Sequence, residues 1–151
     1  MSEQAATEGA VRAPWHLWVV GVISLLWNAM GAFDYIMTQS RSEWYMSQFT
    51  QEQLDYFYSF PAWADASWAL GVWGAVLGSV ALLLRRSWAV WLFGISIIGL
   101  VLTTIYNFVL TDGAAMMGDG ATVWILTLLV WAITIALFVY ARWLTRTGVL
   151  R

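Results

Sequence analysis

Four apolar runs, at residues 15–38, 62–84, 87–111 and 121–144, constrain this chain more than any motif in it. Each has about the length of a helix that crosses a bilayer core, and Arg85-Arg86 and residues 112–120 between them read as tight turns. In a 151-residue chain that is 61% hydrophobic and 11% charged, with mean hydropathy +0.69, too little polar sequence remains to cover a water-soluble globule. The expected fold is all-α: four transmembrane helices in an antiparallel bundle, forming one domain over residues 15–144. Tails at 1–14 and 145–151 flank it, and a longer connection spans 39–61. The first run is longer than the apolar core of a signal peptide and ends in no small-residue cleavage site, so it reads as a retained helix.

Charge gives the orientation. Arg12, Arg85, Arg86, Arg142, Arg146 and Arg151 lie at the N-terminus, the second loop and the C-terminus. The first and third loops set Arg41 against Glu43, Glu52, Asp55, Asp112 and Asp119. The positive-inside rule therefore places both termini in the cytoplasm. A net charge of −2 gives no footprint for nucleic acid, and the arginines sit where anionic headgroups would meet them. Cysteine and lysine are both absent, which removes disulfides, thiolate metal sites and Schiff-base chemistry. With one histidine, no nucleophile and base pair and no metal cluster, neither an enzyme nor a cofactor is expected.

Asp34 is the residue that composition does not explain. It falls in the last third of the first run, where the helix dipole is already negative and where a midplane carboxylate would cost roughly 2.5–3.5 kcal/mol. Its candidate partners are Arg41, the Tyr106 hydroxyl, Asn107, a bound cation, or a proton shared with Asp65. An offset of 73 residues pairs Trp15 with Trp88, Trp18 with Trp91, Gly21 with Gly94, Asp34 with Asn107 and Thr38 with Thr111, so the chain reads as a duplicated helical hairpin or as shared interface chemistry. Depth counted from the span ends puts Asp34, Tyr35, Asp65, Tyr106 and Asn107 near the outer surface, with Asn28 about one and a half turns deeper. The pattern is that of a cup opening outward, with Trp68 as a further aromatic wall. For Asp65, in the first turn after Pro61, capping of a helix start is the competing role.

Other features have mainly structural readings. Ser67, Gly71, Gly74, Gly78 and Ala81 form a small-residue stripe for close helix packing. Trp27, Trp73 and Trp131 at mid-depth fill the bundle or line a slot for a flat ligand, and His16 at the inner interface is a remote candidate ligand for a metal. In the first loop, Thr50 and Gln53 make a capping box, with Phe49 and Leu54 as a hydrophobic staple and Pro61 as a stop. They predict a short helix over about 51–59, rich in aromatic residues and lying at the outer interface as an anchor or a lid.

The strings WNAMGAFDY (27–35) with MTQ (37–39), FTQEQLDYFYSFPAW (49–63) and YNFVL (106–110) resemble a family of small bacterial four-helix inner-membrane proteins, members of which are similar to proteins labelled sugar transporters. The resemblance covers nearly the whole chain. It implies a bacterial inner membrane and a transport-related role, and no substrate or site. Two function classes follow. The first is a membrane protein that binds or helps transport a small polar solute, sugar-like or cationic, in a cup of Asp34, Asp65, Asn107, Tyr106, Asn28, Tyr35 and Trp68. The second is a non-catalytic accessory subunit whose glycine stripe and aromatic loop dock a second copy or a larger membrane partner.

Overall fold

The computed structural model describes residues 11–118 and 120–151; Asp119 and residues 1–10, most of the expected N-terminal tail, lie outside the described residues. Among the described residues the chain is helical throughout. Its long helices are α1 (Trp15–Gln39), α4 (Ala62–Leu83), α5 (Ala89–Ile105) and α7 (Gly120–Arg146), with the short helices α2 (Glu43–Met46), α3 (Gln51–Tyr58) and α6 (Gly113–Met116) in the connections. A single π-helical turn, Tyr106–Leu110, extends α5. Four helices, counting α5 with that turn, are long and apolar enough to cross a membrane, which suggests a multi-pass membrane protein.

Local signals account for the element boundaries. Pro14 and Pro61 precede α1 and α4 at φ −68°, the value their rings impose, and neither has a backbone N–H for the missing helical bond. The α3 start is the capping box read from the sequence: Gln53 N–H donates to Thr50 Oγ1, and Thr50 N–H to Gln53 Oε1. Two turns use left-handed arginines, Arg41 at φ 52° and Arg85 at φ 57°, a conformation that costs an L-residue about 1–2 kcal/mol. Arg85 has compensation, since its guanidinium donates to the carbonyls of Val149 and Val11. Arg41 stacks over the Tyr58 ring at 4.2 Å.

The long helices pack in sequence, α1 on α4, α4 on α5 and α5 on α7. The tightest seam is α4 against α5, and the glycine stripe is spent on it. A Cβ on Gly74 would stand 3.0 Å from the Leu92 carbonyl and Ser96 N, one on Gly78 would strike the Phe93 ring, and one on Gly99 would strike Gly71 and the Ser67 carbonyl. At the arginine-rich end, hereafter the basic end, Leu17, Leu82, Phe93, Leu137, Ala141 and Leu144 form the main core. Val149 and Leu150 belong to it, only 5% and 3% exposed, and a backbone pair between Arg151 and Arg85–Ser87 pins them there. Val149 and Leu150, within the expected C-terminal tail, are thus packed, while Arg146, Thr147, Gly148 and Arg151 around them are exposed. The Tyr140 hydroxyl and His16 Nδ1, 2.5 Å apart, join α1 to α7 at this end. A second, smaller core of Tyr56, Ala64 and Tyr106 lies at the opposite end, under the first loop.

Candidate functional site

Toward that loop end lies a cavity of about 690 Å³, within the range of small-molecule sites. All four long helices line it. α1 contributes Trp27, Met30, Gly31, Asp34 and Thr38, and α5 with its π turn contributes Ser96, Leu100, Thr103, Thr104, Asn107 and Phe108. Trp68, Gly71, Val72 and Ala75 come from α4, and Thr122 to Thr134 mark the stretch of α7 that faces them.

The first loop, expected as an anchor or a lid, contributes to the cavity wall. Phe49, Phe57 and Phe60 line the cavity from above, so residues 43–60 form a roof over it. Edge-to-face contacts hold these rings together, Phe49 on Phe57 at 5.5 Å and Phe60 on Tyr106 at 4.7 Å. Two tyrosines then reach down from the roof. Tyr45 donates to Asp34 Oδ1 at 2.6 Å, and Tyr56 donates to Asn107 Oδ1 at 2.5 Å with Thr111 Oγ1 3.0 Å away. The acid and the amide that correspond at an offset of 73 residues thus each accept one phenol from the same segment.

Of the side chains expected as partners for Asp34, neither Arg41, Tyr106, Asn107 nor Asp65 hydrogen-bonds to it among the described residues. Tyr45 does, because the turn at Ser40–Arg41 sends the chain back toward α1 and seats α2 directly over its last turns. Asn107 is positioned by the π turn: its Nδ2 donates to the Thr103 carbonyl at 2.8 Å, and Thr111 N–H reaches the Tyr106 carbonyl in the wide register of that turn. Gly113 leaves room for this arrangement, since a Cβ there would strike the Tyr56 hydroxyl.

Of the seven residues singled out from the sequence, Asp34, Asn107 and Trp68 line the cavity. Asn28 faces α4 instead and donates to Ser79 Oγ and the Ala75 carbonyl, which makes it an interhelical fastener. Tyr35 stands edge-on to Trp68, and Tyr106 is buried between Phe60 and Trp63. Asp65 makes no capping bond; its Oδ1 accepts from Gln39 Nε2 at 3.0 Å and ties α1 to α4. Trp27 lines the cavity, whereas the Trp131 indole donates to Thr104 Oγ1 beside it. The sequence reading missed both latching tyrosines and the threonines of α7, although Thr127 and Thr134, seven residues apart, share a helix face.

No family model, curated protein or solved structure matches the chain. The geometry of the site is therefore the main guide to its chemistry.

The Tyr45 latch has a pH signature. Partial burial, and then the hydrogen bond to Asp34 and its negative charge, push the Tyr45 phenol up to about 12. Its folded value exceeds its ordinary one, so the latch's contribution is complete below pH 10, where an ordinary phenol titrates, and is lost as pH rises through about 12. Tyrosinate absorbance followed against pH should lose a component titrating near 12 in Tyr45→Phe. An alkaline titration identical in the two proteins would rule the latch out.

Proposed function

We propose that this chain is an integral membrane protein that binds, and helps to move, a small molecule whose polar or cationic group lies against Asp34. The supporting observation is that Asp34 lines a roofed cavity and forms no ion pair among the described residues: its partner is a neutral phenol, while Arg41 stacks on Tyr58. Asn107 supplies an amide and Trp68 a flat face within the same space. The competing role, a subunit that docks a larger partner through its glycine stripe, has less support, because α5 already covers that stripe.

The surrounding architecture belongs to the same proposal. The four helices form an antiparallel bundle, for which the contacts Gly78–Phe93, Gly74–Ser96 and Gly71–Leu100 give a consistent register. Matching roles for Asp34 and Asn107 support a duplicated hairpin. Arginine placement and the family resemblance support a bacterial inner membrane with cytoplasmic termini, which sets the cavity in the outer half of the bilayer and α3 at its interface.

A thermal-shift screen of tetramethylammonium, larger quaternary ammonium ions and polyols on the detergent-purified protein tests the reading. A ligand at a hundredfold excess over Kd should stabilise the wild type by about 2.7 kcal/mol and leave a folded Asp34→Asn variant unmoved. Equal stabilisation of both proteins would take Asp34 out of the site.

A further inference from the structure

We propose that the cavity takes a single-chain amphiphile with a cationic head, which enters sideways from the bilayer between α1 and α7 and lays its tail along α5 and α7. The inference rests on the ligand-binding reading above and adds the ligand's class and its route.

Polarity inside the cavity is graded. Asp34, Thr38 and Asn107 gather under the roof. Further down, Thr103 Oγ1 is buried without a partner among the described residues, but three other hydroxyls are turned onto backbone carbonyls: Ser96 donates to Gly71 at 2.6 Å, Thr104 to Leu100 at 2.7 Å and Thr134 to Val130 at 2.7 Å. These side chains offer the cavity mainly carbon, beside Trp27, Val72, Leu100 and Val130. A sugar would find few hydrogen bonds there, whereas an alkyl chain needs none. On α7 the lining runs from Thr122 to Thr134, about 18 Å at 1.5 Å per residue, so the site is deep enough for a chain and too long for a head alone.

The route follows from what is covered. Above, the aromatic roof is latched at two points by Tyr45 and Tyr56. To the side, Met30 of α1 and Leu126 of α7 line the cavity while remaining 67% and 51% exposed, which marks a gap toward the hydrocarbon. The charge of the head follows from Asp34, the one ionisable side chain among the described lining residues. Tyr45 occupies Oδ1 and leaves the second carboxylate oxygen for a cation, with Trp68 and Trp27 as neighbouring π faces.

The test uses the full chain in lipid nanodiscs and dodecyltrimethylammonium carrying a photoactivatable diazirine at the chain end, with adducts mapped by mass spectrometry. Adducts are expected on cavity residues such as Leu100 and Val130, reduced at least tenfold in Gly31→Leu. Gly31 lines the cavity and no atom lies within 4 Å of a Cβ there, so the added side chain starts in open space, and the variant decides the matter even if Asp34→Asn does not fold. Adducts confined to the outward faces of Ile125 and Leu128, or equal in wild type and Gly31→Leu, overturn the inference. A dodecyl alcohol with the same diazirine should label the cavity weakly; labelling equal to that of the cation overturns the charged head. Tetramethylammonium separates the two levels of the argument. If it stabilises the protein while the long probe stays on the lipid face, the amphiphile is wrong and the solute site stands; if neither probe engages the cavity, both fall.

Discussion

Gly99→Ala should destabilise the protein by at least about 1–3 kcal/mol, while Gly31→Ala should leave it unchanged or slightly more stable. The contrast arises from what each new methyl would meet. At Gly99 it would run into the Gly71 backbone and the Ser67 carbonyl, atoms that move only if α4 and α5 separate along their most extensive seam. At Gly31 it would enter the cavity and touch nothing. Helix propensity treats the two substitutions alike, so the difference isolates packing. Thermal unfolding of both variants in one detergent measures it, and a Gly99→Ala midpoint equal to wild type would mean that this seam is looser than described.

The second large effect is expected at the roof. Tyr56→Phe removes the donor to Asn107 Oδ1, a buried acceptor, at a cost of about 1–3 kcal/mol. The loss should be local, because Tyr56 belongs to the small core at the loop end and not to the Phe93 core at the basic end. Amide exchange over Gln51–Tyr58 should therefore accelerate roughly tenfold to a hundredfold, with little change in α4 and α5. Tyr45→Phe should do less, since Tyr45 is only partly buried, and the double variant should free the roof as a unit. Uniform acceleration along the whole chain would show instead that Tyr56 supports the global fold.

The sequence disclosed the spans to within a few residues, because a bilayer-length apolar run is a signal summed over some twenty side chains. It also disclosed α3, because Thr50, Gln53 and Pro61 act on their own neighbours. Site residues were only partly legible. Counting from the span ends gives depth but not azimuth, and the structure turns Asn28, Tyr35 and Tyr106 toward Ser79, Trp68 and Phe60. The partner of Asp34 was hidden for a different reason. Tyr45 reaches it only because the chain reverses through a left-handed Arg41, a conformation that arginine does not advertise. Gly99 was equally silent as a lone glycine, and its role emerges only when Gly71 and Ser67 are seen opposite it.

The most direct test of the account is whether the cavity is closed to water and open to lipid. The chain has no cysteine, so one introduced at Thr127, inside the cavity, is the only thiol present. A lipid-soluble maleimide should label Thr127→Cys, and a charged, water-soluble thiol reagent should label it far more slowly than it labels Gln48→Cys on the exposed loop. Replacing Tyr45 and Tyr56 with Phe should then raise the rate of the water-soluble reagent. If that reagent modifies Thr127→Cys as fast as Gln48→Cys with both tyrosines in place, residues 43–60 do not roof the cavity and the account is contradicted.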